Sequence, residues 1–304
     1  METSKTLLFG NGLNQLTTGL ISWKDLLDNI KGKNKFENLE LPHTMIYERI
    51  LMERTKLSDG IFAVEGNIKA EIAEQMRNIS TNEYYDLVFN LGLKNYLTTN
   101  YDYSLNKKIK QNGFALNSNS TEDIYSIRRN TSILDNKDQE IGKIWNIHGE
   151  VDRPASIMLG LDHYCSSIGK LDAYLKGTYE YQDNKQKIRV NSITNKIKNG
   201  DFDKVSWVEL FFNSDVHILG LSLKYSETDL WWILNKRARI MNDKKTSVHI
   251  SNKIFYYSTS IEPEKQGVLE SFNVKVIKTD NPNPKTFNWG KYYRETLDKI
   301  ASAK

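Results

Sequence analysis

Apolar residues cluster in six short runs along the chain. Residues 5–9, 95–99, 143–147, 215–220 and 247–251 are each bounded by Gly, Asn or His, while 272–277 alternates apolar and polar positions. Runs of this length and bounding predict strands. Helical patterns lie between them. Trp23, Leu26, Leu27 and Ile30 fall at i, i+3, i+4 and i+7, one helical stripe. Residues 41–57 and 66–92 contain no proline after Pro42 and read as helical; 227–241 and 263–272 predict further helices, the last opening on Pro263. Strands alternating with helices predict an α/β fold: a Rossmann-like parallel sheet of about six strands, flanked by helices. The helical stretch between the first two strands predicts an insertion or small subdomain over about 38–93. The polar stretches 112–138 and 177–203 read as flexible segments. The expected organisation is a single domain over 1–304.

Composition narrows the class. A hydrophobic fraction of 39% with 26% charged residues excludes a disordered or collagen-like chain. The net charge, 42 − 38 = +4, is a weak field over 304 residues that neither demands nor excludes nucleic acid; direct nucleic-acid binding is not expected. A single cysteine, Cys165, excludes an intramolecular disulfide and a cysteine-based zinc cluster, and it fits a reducing compartment. No run approaches the ~18 apolar residues that span a bilayer, and the first residues show no secretory pattern. The expected location is the cytoplasm, with no membrane contact.

In parallel α/β sheets, ligands bind beyond the carboxyl ends of the strands. Four strands here end in polar or glycine-rich chemistry: Gly10-Asn11-Gly12-Leu13-Asn14, Thr98-Thr99-Asn100-Tyr101-Asp102, His148-Gly149-Glu150 and Gly220-Leu221-Ser222-Leu223. Each has a plain structural reading beside the functional one. Gly10 and Gly12 permit close approach to a pyrophosphate, yet Gln15 stands where a dinucleotide fingerprint has its third glycine, and Asn-Gly is a common turn. Asn100 and Asp102 suit a catalytic pair or a strand-end turn. His148 suits a general base or a satisfied buried histidine. Ser222 suits a ligand contact or a helix cap, although Ser226, with Asp229 three residues on, is the better N-cap. His43, His163, His217 and His249 lack metal-ligand spacing; His217 reads as structural and His163 as a residue at the pocket rim. Cys165 reads as a buried small residue, and Lys236–Arg239 as a solvated helix face. No Walker motif is present.

Taken in order, these four motifs resemble the sirtuin family of NAD-consuming enzymes, and in particular the sirtuin-like domains of bacterial anti-phage systems, including the abortive-infection branch. The family's opening G-A-G-x-S is matched by Gly10 to Asn14, its T-Q-N-I-D by Thr98 to Asp102, its H-G by His148-Gly149 and its G-T-S-L by Gly220 to Leu223. Its later I-N turn is matched by Ser251-Asn252. The resemblance implies NAD+ as substrate, with His148, Asn100 and Asp102 catalytic. It implies contacts to NAD+ from Gly10, Asn11, Gly12, Asn14, Thr99, Tyr101, Gly220, Ser222 and Asn252. Thr99 replaces the family's Gln. One cysteine cannot build the four-cysteine zinc ribbon of sirtuin deacylases, so no metal is expected and protein deacylation is disfavoured. The resulting expectation is an NAD+ glycohydrolase that depletes NAD in abortive infection. The alternative is a non-catalytic nucleotide-binding regulatory module. The partners that the resemblance implies are a second copy of the chain, or a defence protein of the DNA-translocase ATPase or Argonaute type.

Overall fold

The N-terminal apolar run lies in the middle of a sheet, which explains why it is uniformly buried from Thr6 onward. The computed structural model describes residues 4–17, 22–32, 36, 41–57, 60–119, 124–245, 248–281 and 286–302. In chain order, β1 (Ser4–Phe9) is followed by α1 (Trp23–Lys31), α2 (His43–Thr55), α3 (Ile61–Arg77) and α4 (Tyr84–Asn90). Then come β2 (Asn95–Thr98), α5 (Ser104–Gln111), β3 (Ala115–Asn119), β4 (Asn130–Leu134) and β5 (Glu140–Asn146). After these lie α6 (Leu161–Lys176), β6 (Glu180–Asp183), β7 (Gln186–Arg189), α7 (Ile193–Asn199), α8 (Leu210–Asn213) and β8 (Ser214–Leu219). The chain closes with α9 (Thr228–Asn242), β9 (Ile254–Ser258), α10 (Pro263–Ser271), β10 (Val274–Lys278) and α11 (Trp289–Ser302).

The eight-stranded sheet has the order β10-β9-β8-β1-β2-β5-β4-β3. Strands β10 through β5 in that order are parallel, and β4 and β3 add an antiparallel edge. The fold is therefore α/β with a mostly parallel sheet between helices, and the expected six strands undercount it by two. The extra pair lies in the polar segment 112–138, expected to be flexible. Its strands hold together through side-chain ladders, Ser118 with Thr131 at 3.2 Å and Asn119 Nδ2 donating to Ser132 Oγ at 3.3 Å, so apolar patterning does not reveal them. The second such segment, 177–203, holds the β6–β7 hairpin and α7.

The register sets the site. Phe9 pairs with Thr98 on one side and Leu219 on the other, so β1, β2 and β8 end level with one another. One face of the sheet is covered by α6, α8 and α9 and the other by α4, α5 and α11. A third core belongs to α1–α3, where Leu26, Ile30, Tyr47, Ile50, Ile68 and Ile72 pack with Tyr101, Val151, Ile157 and Leu159. The helical subdomain thus includes α1 and excludes α4, whose Tyr85 and Val88 lie in the sheet core; the expected start at 38 lies outside the described residues. Two other expectations are corrected. Cys165 is exposed, on the outer side of α6. Within Lys236–Arg239, Arg237 is fully buried and donates to the Phe211 carbonyl at 2.9 Å. Among the described residues no helix is long and apolar enough to cross a membrane.

Candidate active site

A cavity of about 750 Å³ opens at the level ends of β1, β2, β5 and β8 and is walled by the helical subdomain and α11. Of the sequence-predicted residues, Asn11, Gly12, Thr99, Asn100, Tyr101, Asp102, His148, Gly220 and Ser222 line it. Residues separated by more than 200 positions meet there because parallel strands carry them to one edge.

The glycine loop acts differently from a dinucleotide fingerprint. Gly10 N–H donates to the Leu219 carbonyl at 3.3 Å and Gly12 N–H to the Gly220 carbonyl at 2.8 Å, so neither amide is available to a diphosphate. Both glycines are required by packing. A Cβ on Gly10 would stand 2.7 Å from Leu221 Cδ1, and one on Gly12 would overlap the Tyr293 hydroxyl and lie 2.8 Å from Gly220 Cα. Among the described residues the Asn11 amide has no hydrogen-bond partner and Asn11 lines the cavity, whereas Leu13 is fully buried away from it.

Asn14 is fully buried behind the loop. Its amide donates to Asp102 Oδ2 at 2.8 Å and to Asn11 Oδ1 at 2.9 Å, and its oxygen accepts from Tyr85 at 2.6 Å. Asp102 Oδ1 accepts the Ser104 amide at 2.8 Å, which fixes the start of α5. Each oxygen of Asp102 is therefore engaged, and the residue ties the β1 and β2 loops together. Asp102→Ala is expected to orphan two buried donors, at about 1–3 kcal/mol each, with Asp102→Asn losing less. Thermal unfolding of the two variants checks this, and equal stability to wild type in both would contradict it. Tyr101 turns toward the subdomain, edge-on to Trp23.

Asn100 stands at the end of β2, buried, with its side chain 3.4 Å from the Gly10 carbonyl and its own carbonyl held by Asn146 at 3.0 Å. His148 follows β5, and its Nε2 lies 3.1 Å from Asp229 Oδ2. Asp229 is fully buried in the first turn of α9. Burial disfavours the imidazolium, but the charge and hydrogen bond of Asp229, with Glu227 beyond it, outweigh that and raise the His148 pKa. A raised histidine gives stability that is fully present below its unfolded value near ~6.5 and lost as pH rises through the folded value. The stability gap between wild type and His148→Gln is thus expected to narrow with rising pH, and a gap constant from about pH 5 to about pH 9 would contradict the pairing.

Asp229 and Glu227 were not picked out as site residues. The N-cap expected at Ser226 is displaced to Glu227, and Asp229 turns to His148 in place of a capping contact. Acidic residues just after a strand-end loop were the available clue. Asn252 is the clear correction among the predicted contacts. The strand expected to precede it follows it instead, as β9, so Asn252 sits at the opposite end of the sheet. There it donates to the Ser214 carbonyl at 2.5 Å and to that of Phe211 at 3.2 Å. Residues 258–260, at the other end of β9, line the cavity in its stead. His163 lies outside the cavity: its Nδ1 accepts the Leu159 and Gly160 amides, and its Nε2 meets Glu65. His217 stacks on Phe255 within the sheet.

The sheet thus brings a His–Asp pair, a buried Asn and a glycine loop to one strand-end cavity, where α/β sheets of this kind bind their ligands. A family model described as the SIR2-like domain matches residues 94–277, more than half of the chain, which therefore belongs to that family. The match covers β2 through most of β10; the glycine loop lies outside it and is joined to the site by the sheet order. No curated protein matches the chain. SIR2-like domains bind NAD+, and a cavity of this volume, with Asn11, Asn100 and His148 on its wall, suits that dinucleotide.

Proposed function

We propose that the protein is an NAD+ glycohydrolase, cleaving the bond between nicotinamide and ribose with water. The observation that carries this reading is the convergence of Asn100 and the His148–Asp229 pair on one cavity beside the glycine loop. Cleavage builds positive charge on the ribose ring, an oxocarbenium-like centre. Asp229 holds the imidazole of His148 in place and raises its basicity, which suits it to take a proton from a ribose hydroxyl. The Asn100 amide, with a donor and an acceptor, orients the ribose and the departing nicotinamide. The Asn11 amide, at the cavity wall, is the loop's donor toward the diphosphate. Incubating the purified protein with NAD+ and following nicotinamide and ADP-ribose tests the reading; intact NAD+ in the presence of bound protein would overturn it.

Our proposal extends to setting and assembly. The resemblance to anti-phage sirtuin-like domains supports NAD depletion in the cytoplasm during abortive infection. An oligomer or a defence partner is supported by apolar side chains left in solvent on the subdomain, with Leu57 and Phe62 more than four-fifths exposed and Met45 and Met52 nearly half exposed. A monomer with full turnover in light scattering, unaffected by any partner, would contradict that part.

A further inference from the structure

The carboxylates in the cavity wall and just behind it are not equivalent. Asp102 has both oxygens engaged, by Asn14 and Ser104. Asp229, two residues into α9, is buried behind His148 and accepts from that ring and from the Leu230 amide at 2.8 Å. Glu262 lies on the exposed rim. Glu227 differs from all three. It is half-buried at the N-cap of α9, it faces both the main cavity and its narrow annex beneath Trp23 and Tyr47, and its Oε2 is shielded from solvent without any hydrogen-bond partner. A shielded carboxylate oxygen with no partner in the protein is costly unless something in the cavity uses it.

We propose that Glu227 is a second acid–base residue of this site, receiving the proton of the water that attacks the ribose. The inference rests on the glycohydrolase reading and divides its chemistry between two bases. The water oxygen bonds to the anomeric carbon. The carbon–nitrogen bond breaks, and its electron pair goes to the nicotinamide ring, cancelling that ring's positive charge. The water proton passes to the Glu227 carboxylate and then to solvent. His148 is left to serve the ribose hydroxyl, since Asp229 already fixes its Nε2.

The electrostatic setting agrees. Burial pushes the Glu227 carboxyl up to about 7, with Asp229 raising it further and His148 and Lys265 pulling it down. A base that titrates near the working pH combines availability with driving force. The Lys224 backbone amide also donates to the carboxylate, and the tyrosines that face it, Tyr101, Tyr164 and Tyr256, are held neutral by burial. Above about 7 the carboxylate is ionised and competent, so hydrolysis is expected to rise through that pH and the Gln variant to lose this limb.

Two reactions separate this role from a structural one. Hydrolysis needs a base for water, whereas exchange of labelled nicotinamide into NAD+ needs only cleavage and re-formation of the same bond. In E227Q we expect hydrolysis to fall about 10²–10³-fold, with NAD+ binding and the exchange reaction kept within about threefold of wild type. Hydrolysis within about threefold of wild type, or exchange and binding lost in parallel with hydrolysis, would overturn the assignment. Wild-type protein that binds NAD+ but neither hydrolyses nor exchanges it would overturn the glycohydrolase reading itself, and the role of Glu227 with it.

Discussion

Asn100→Ala and His148→Gln are each expected to lower nicotinamide release by about 10²–10⁴-fold, the range that a positioned acid–base or orienting group contributes. The choice of glutamine at 148 follows from the structure. His148 is only 3% exposed, and alanine there would leave the Asp229 carboxylate, fully buried, without its partner. Breaking a buried pair in that way costs about 3–5 kcal/mol, which would confuse lost catalysis with lost folding. Glutamine keeps a donor toward Asp229 while removing the titratable ring. Asn100 is the cleaner probe, because its side chain belongs to no buried ion pair: it stands 3.4 Å from the Gly10 carbonyl and meets the Tyr85 hydroxyl. Thermal unfolding and nicotinamide release on the same preparations decide the matter. Full activity in His148→Gln would show that the histidine is a packed strand-end residue and nothing more.

Gly149→Ala is expected to be the most damaging single-atom addition at the site. Gly149 has φ of +103°, a region that side chains rarely adopt, and a Cβ there would overlap the Ser156 carbonyl and stand 2.7 Å from Ile157 Cα. Both obstacles are backbone, so no side-chain rotation relieves them. The same turn is pinned by the Met158 amide, which donates to the His148 carbonyl at 2.9 Å. Strain and overlap together are expected to cost about 3 kcal/mol or more. At roughly 2–4 °C per kcal/mol for a chain of this size, the midpoint of thermal unfolding should fall by about 6 °C or further. A midpoint unchanged from wild type would mean that the 148–158 turn has room the structure does not give it.

The parallel sheet was legible because its strands are buried on both faces and read as apolar runs, with polar residues gathered where they end. β1, β2, β5 and β8 were placed within a residue or a few, and with them the loops that bear Asn100 and His148. β3 and β4 were not, since Asn, Ser and Thr ladders at a sheet edge look like loop sequence. β9 was placed several residues early because Ser247 to Ser251 carries the same alternation as a strand, and Asn252 was consequently assigned to the wrong end of the sheet. Asp229 was read as a cap acid because sequence spacing describes neighbours along a helix, not the histidine 81 residues away that meets it. The sequence reading has Gly10 and Gly12 letting a pyrophosphate come close. What they approach is the β8 loop and Tyr293, which only the sheet order reveals.

We propose that one cavity, served by Asn100 and the His148–Asp229 pair, hydrolyses NAD+. The most direct test is to incubate wild-type protein with NAD+ and quantify nicotinamide and ADP-ribose together, with Asn100→Ala as the paired control. Equal amounts of the two products are expected from wild type and nearly none from the variant. NAD+ that binds to wild-type protein and is recovered intact, or product formation that Asn100→Ala leaves unchanged, would contradict it.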